Sequence, residues 1–111
     1  MGVLDFFKGP NINERLEKYR ETKNGLLVDV RAAEDYARER IPGSINIPLP
    51  EIGKAIYMLE DKRQPLFVYG WSETPSKHGV SALKSLGFEN VTDLGNCERY
   101  TGEIEKGEMQ K

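Results

Sequence analysis

The chain has 111 residues, a mass of 12.6 kDa and a formal net charge of −2, with 38% hydrophobic and 31% charged residues. This size fits one globular domain with its own core and leaves little room for a second. Lysine and arginine are spread along the sequence. We therefore expect no nucleic-acid partner and no membrane surface as partner, because both require a basic patch.

The rest of the composition indicates a cytoplasmic protein. No apolar run approaches the roughly 20 residues of a membrane span, and the N-terminus is too short and mixed for a signal peptide. One cysteine excludes an intrachain disulfide and is typical of a reducing compartment. Within the single domain, residues 1–111, we expect the apolar N-terminal segment 1–10 to pack onto the body and residues 105–111 to form a frayed tail.

The first half of the chain alternates between helical and extended patterns. Asn11 is typical of a helix N-cap, and the apolar spacing that follows predicts a helix over residues 12–22. The aliphatic run over 26–30 predicts a buried strand. A short helix over 33–38 and a short strand over 45–47 follow.

The second half continues the alternation. Pro50 is typical of a first helical turn and opens a predicted helix over 50–59, and a strand follows over 66–69. A polar loop then leads to a helix that Ser76 caps and Gly87 ends, and residues 91–94 form the last strand. This order predicts a mostly parallel α/β sheet with helices on both faces and sites at the carboxyl ends of its strands.

Four stretches resemble the single-domain rhodanese family, in the right order and at the right spacing over nearly the whole chain. They are Leu-Val-Asp-Val-Arg at 27–31, Ile-Pro-Gly-Ser-Ile-Asn-Ile-Pro at 41–48, Phe-Val-Tyr at 67–69 with its following loop, and the stretch from Leu-Gly to Tyr-Thr-Gly-Glu at 94–103. The resemblance implies a rhodanese-like fold with a five-stranded, mostly parallel sheet flanked by helices.

Two positions depart sharply from that family. There, the loop after the Phe-Val-Tyr strand begins with a cysteine that carries a persulfide in a cradle of backbone N–H groups, and an arginine commonly follows five residues later. Here these positions are Gly70 and Pro75. Sulfur transfer needs a thiolate, so the chain is not expected to be an ordinary thiosulfate sulfurtransferase. The missing side chain at Gly70 is expected to leave room for a small substrate.

The only cysteine, Cys97, and the only histidine, His78, are both expected beside this altered loop. His78 is in the helix that follows the loop, and Cys97 is in the turn after the last strand, and each is preceded by its own strand. Those strands are expected to be neighbours about 4.8 Å apart, so both side chains are expected at one pocket. The changes concentrate around that pocket. The pattern resembles a re-engineered rhodanese scaffold that carries a Cys–His dyad, similar to designed cysteine hydrolases.

Such a dyad implies an ester hydrolase. Cys97 would attack an activated aryl ester and form an acyl-enzyme, with His78 as general base and without a cofactor or metal. The partner would be a small-molecule ester, and the sequence names no protein partner. The expected oxyanion and substrate pocket comprises Gly70, Trp71, Ser72, Glu73, Thr74, Ser76 and Asn96.

Two other interpretations stay open. A lone cysteine is most often an inert buried residue, and a lone histidine in a first helical turn is most often solvated. On this view the chain is a catalytically silent rhodanese-like binding or regulatory domain. A third interpretation is a sulfurtransferase that carries its sulfur on Cys97. Asp29 and Arg31 are expected to be structural.

Overall fold

The computed structural model describes residues 11–107, so the segment 1–10 that was expected to pack onto the body lies outside it. In chain order the elements are α1 (Ile12–Glu21), β1 (Leu26–Asp29), α2 (Ala33–Arg38), β2 (Glu39–Arg40), β3 (Ser44–Asn46), α3 (Ala55–Met58), β4 (Leu66–Gly70), α4 (Glu73–Ser85), β5 (Val91–Asn96) and β6 (Glu105–Lys106). The 3₁₀ helices Leu49–Lys54 and Cys97–Arg99 precede α3 and follow β5. In the described part of the chain, no helix has the length and apolarity that crossing a membrane requires.

The central sheet has four strands in the order β3-β1-β4-β5, and all neighbouring pairs are parallel. The expected mostly parallel α/β architecture is confirmed, but the count of five strands was wrong. The remaining strands, β2 and β6, form a separate antiparallel pair in which Glu39 faces Lys106 and Arg40 faces Glu105. The start of the tail is therefore an ordered strand, contrary to the expected fraying from residue 105.

Two apolar cores lie on opposite faces of the sheet because successive strand residues point to opposite sides. In β1, Leu27 belongs to the core that α1 covers with Ile12 and Leu16. Its neighbour Val28 belongs to the other core, to which α4 contributes Leu83. The helices therefore cover both faces, as the alternation of strands and helices predicted.

Helix α4 begins four residues earlier than the sequence suggested. Its N-cap is Ser72, and Pro75 lies in the first turn, where a missing N–H leaves no helical hydrogen bond unmade. Ser76 is fully buried, and its hydroxyl bonds the carbonyl oxygen of Val68 at 3.3 Å and the carboxylate of Asp93. The polar loop after β4 is thereby reduced to two residues before the helix starts.

Candidate functional site

A cavity of about 180 Å³ lies at the carboxyl ends of β1, β4 and β5. Its position at this edge of a parallel sheet is the one expected for a binding site. The lining residues are the aromatic Tyr69, Trp71 and Tyr100, the aliphatic Ile41 and Ile104, the charged Arg31, Asp35, Arg38, Glu39 and Arg40, and the thiol Cys97.

A buried ion pair between Asp29 and Arg31 holds one wall of this cavity. The Asp29 carboxylate accepts bonds from the Arg31 backbone N–H at 2.8 Å, from Nε at 3.0 and 3.1 Å and from Nη2 at 2.8 Å. Both residues are buried, and such charges are tolerated only when paired and hydrogen-bonded. The expected structural role of this pair is confirmed.

Trp71 forms a second wall. The guanidinium of Arg31 lies over its ring, 5.1 Å from the centroid, and the indole N–H donates to Asp35 Oδ2 at 3.0 Å. The hydrogen bond from Trp71 lowers the pKa of Asp35 because it favours the carboxylate form. Trp71, which was expected in the substrate pocket, lines the cavity.

The space expected beside Gly70 is filled. A Cβ added at Gly70 would lie 3.3 Å from the amide nitrogen of Ser76, 3.3 Å from Val30 Cγ2 and 3.6 Å from Pro75 Cβ. These contacts exist because α4 starts directly after the strand and its first turn folds over the end of β4. The expectation that Gly70 leaves room for a substrate was therefore wrong.

The five remaining residues that were predicted for the pocket lie outside the lining of the cavity. Ser72, Glu73 and Thr74 are exposed at the start of α4, and Ser76 is buried beneath it. The Ser76 amide donates to the Ser72 carbonyl at 3.4 Å, and Asn96 Oδ1 accepts a bond from the Glu98 amide at 2.8 Å. Of the residues predicted to form the oxyanion and substrate pocket, the cavity contains only Trp71 in its lining.

Cys97 and His78 occupy different environments. Cys97 lines the cavity and is partly buried, and burial raises the pKa of its thiol to about 11, although the charge of Arg31 acts in the opposite direction. His78 is exposed on α4, whose buried residues are Ser76, Gly79 and Leu83. His78 is two residues after Ser76, about 200° around the helix, so it lies on the solvent face and outside the cavity lining.

Sequence reasoning missed the wall formed by Tyr100 and Ile104. Ile104 precedes β6, whose pairing with β2 is only two residues long on each strand and entirely charged. Strands this short and this charged lack the alternation of apolar and polar residues by which a strand is recognised in a sequence. Within residues 11–107, no three histidine, cysteine or carboxylate side chains cluster in a way that could hold a metal ion.

Comparison with known proteins identifies the fold family. The model of the rhodanese-like domain matches residues 13–96. The chain is 33% identical over 72 residues to the thiosulfate sulfurtransferase PspE of Escherichia coli, a match that covers 64% of this chain and 69% of that protein. It is also 35% identical over 91 residues to the adenylyltransferase and sulfurtransferase uba4 of Ogataea parapolymorpha. This match covers 81% of the present chain but only 23% of the length of uba4.

Solved structures agree with this assignment. A rhodanese with anions from E. coli superposes with a TM-score of 0.68 at 30% identity, over 75% of this chain and 99% of that one. The Alr3790 protein from Anabaena sp. superposes with a TM-score of 0.76 at 23% identity, over 90% of this chain and 94% of that one, which shows the shared fold. The chain belongs to the family of rhodanese-like domains, whose relatives here include sulfurtransferases.

Proposed function

We propose that this protein is a ligand-binding rhodanese-like domain that carries no persulfide on the loop after β4. One observation carries the proposal. At the position where the resemblance places the reactive cysteine, Gly70 has no thiol, and the space for a side chain is bounded at 3.3 Å by Ser76 and Val30. A thiolate is the group that accepts a sulfane sulfur, so this loop lacks the sulfur carrier, and Ser76 or Val30 would have to shift by a few tenths of an ångström to admit a side chain at residue 70.

The cavity at the carboxyl ends of the strands supports a binding role. It combines aromatic and aliphatic walls with a few polar groups, the usual composition of small-molecule sites. Its volume of about 180 Å³ is smaller than that of most drug-sized sites, so its ligand is correspondingly small.

The Cys97–His78 ester hydrolase stays a prediction, with less support than the binding role. A general base must lie within hydrogen-bond reach of the group it deprotonates, whereas His78 is exposed and outside the cavity. With a pKa of about 11, roughly one Cys97 thiol in ten thousand is ionised at pH 7. Cys97 lines the cavity whereas His78 is exposed on α4, which argues against a designed dyad.

Sulfur carriage on Cys97 is the second candidate, because Cys97 lines the cavity and the charge of Arg31 opposes the effect of burial on its pKa. The Cys97 thiolate would attack the sulfane sulfur of thiosulfate, the S–S bond of thiosulfate would break, and sulfite would leave with the electron pair. The relatives that are named sulfurtransferases favour this candidate over the hydrolase.

A thiosulfate and cyanide assay with intact mass analysis tests these alternatives together. The binding proposal predicts no thiocyanate above the buffer background and no added sulfur on the protein. Catalytic thiocyanate production together with a mass gain of one sulfur that disappears in Cys97→Ala would contradict it and establish the second candidate.

A further inference from the structure

One nitrogen of Arg31 has no protein acceptor among the described residues. Nε and Nη2 donate to Asp29, and Nη2 also donates to the carbonyl oxygen of Glu39 at 2.6 Å. Within residues 11–107, Nη1 makes no hydrogen bond to the protein. Arg31 is only 8% exposed and lines the cavity. A buried donor of this kind is expected to have a partner, and because Arg31 lines the cavity, Nη1 is available to an acceptor atom of a ligand there.

The charges around the cavity do not favour an anion as that ligand. Arg31 is paired with Asp29, Arg38 with Asp35 at 3.1 Å, and Arg40 with Glu105 at 3.4 Å. Asp35 and Glu39 are the two carboxylates of the lining, and Asp29 and Glu105 pair with lining arginines from outside it. Each of the three lining guanidinium groups is therefore paired with a carboxylate, and an incoming anion has to compete with these partners for the positive charge.

The remaining walls suit a flat apolar group. Trp71 is held in place by its bond to Asp35 and by Arg31 over its ring. Tyr100 and Ile104 line the same space, whose volume is about 180 Å³. A site of this size, below the usual range for drug-sized ligands, accommodates roughly one substituted aromatic ring.

We propose that the cavity binds a small uncharged aromatic compound whose carbonyl oxygen accepts a hydrogen bond from Arg31 Nη1 and whose ring packs against Trp71. This inference rests on the proposed function, since it requires the cavity to be a ligand site. It further specifies the chemical class of the ligand as neutral. Aryl esters, the substrates expected from the sequence, belong to this class.

Three probes of the same ring size test the inference: benzamide, which is neutral with a carbonyl oxygen, benzoate, which is anionic, and toluene, which has no acceptor. Trp71 is the only tryptophan in the chain, so its fluorescence reports on the cavity directly. We expect saturable quenching by benzamide and affinities at least about tenfold weaker for benzoate and toluene, since losing a paired acceptor or adding an unpaired charge each costs binding free energy.

Two isoleucines provide a matched pair of variants. Ile104 lines the cavity and is 44% exposed, whereas Ile56 is 46% exposed and lies outside it. Ile104→Arg is expected to weaken benzamide binding at least about tenfold, and Ile56→Arg to leave it unchanged. Arg31→Lys, which removes the planar fork, is expected to have the same effect as Ile104→Arg if circular dichroism shows that it folds. If Arg31→Lys does not fold, the comparison of Ile104→Arg with Ile56→Arg tests the location of the ligand site by itself.

The outcomes separate the inference from the proposed function. Tighter binding of benzoate or thiosulfate than of benzamide would overturn the inference and leave a ligand site for anions. Equal binding of toluene and benzamide would overturn the role of Arg31 Nη1. If none of the probes, neutral or anionic, changes Trp71 fluorescence, both the inference and the proposed ligand site fail.

Discussion

The indole N–H of Trp71 donates to Asp35 Oδ2 at 3.0 Å, and this bond joins two walls of the cavity. It also explains why the pKa of Asp35 lies below its usual value, because a hydrogen bond to the carboxylate favours the charged form. The contribution of this bond to stability is present above the ordinary aspartate pKa and is lost as the pH falls through the lowered value.

Trp71→Phe removes the donor and is expected to raise the pKa of Asp35 toward its ordinary value. The measurement is an NMR titration that follows the carboxyl carbon of Asp35 in both proteins. The carboxyl groups far from the cavity provide the internal control, since their titrations should not change. An unchanged Asp35 pKa in the variant would show that the Trp71–Asp35 bond does not form in solution.

The buried pair of Asp29 and Arg31 is expected to dominate the stability contributed by charged residues. Arg31→Ala leaves the Asp29 carboxylate buried without its partner, which typically costs about 3–5 kcal/mol of the free energy of unfolding. The matched control is Arg38→Ala, whose partner Asp35 forms a more exposed pair typically worth below about 1 kcal/mol. Urea denaturation measures both, and equal losses for the two variants would contradict the assignment.

The reactivity of Cys97 should report its raised pKa. Only the thiolate is alkylated, so the rate with iodoacetamide should rise roughly tenfold per pH unit from pH 8 and level off near pH 11. An ordinary thiol levels off near its pKa of about 8.5. His78→Ala should leave the profile unchanged because His78 lies outside the cavity. An alkylation rate that levels off near pH 8 in the wild type but not in His78→Ala would show that His78 activates Cys97.

The hydrolase prediction has its own test with an activated aryl ester. A stoichiometric burst of phenol with one acyl group on Cys97, abolished in Cys97→Ala and slowed in His78→Ala, would establish that activity. The exposed position of His78 leads us to expect acylation of Cys97 no faster than that of a free thiol of the same pKa, with no effect of His78→Ala.

Periodic patterns made most of the fold predictable. The apolar spacing of α1 and the short aliphatic runs of β1 and β4 depend on local burial, which a sequence displays directly. The start of α4 was missed because Ser72 and Ser76 are both N-cap residue types, and Pro75 fits a loop as well as a first helical turn. Choosing between them requires the tertiary contact of Ser76 with Asp93.

The site was predictable only in part. Trp71 and Cys97 follow strands of a parallel sheet, so their place at the carboxyl edge could be inferred. The direction of His78 depends on which face of α4 is buried, and this face is set by Gly79, whose missing side chain allows Val30 and Val68 to approach. A small residue gives no apolar periodicity, so the sequence did not show that face.

The absence of a sulfur carrier on the loop after β4 can be tested with the variant Gly70→Cys. It restores the thiol at the position that the resemblance assigns to the sulfur carrier, and circular dichroism establishes that it folds. With thiosulfate and cyanide, we expect no thiocyanate above that of the wild type, because the new Cβ lies 3.3 Å from Ser76 and Val30 and the Ser76 amide already donates to the Ser72 carbonyl within α4. The E. coli thiosulfate sulfurtransferase serves as the positive control. Turnover in Gly70→Cys with a persulfide on the new cysteine would instead show that the loop can still hold sulfur and that only the thiol is missing.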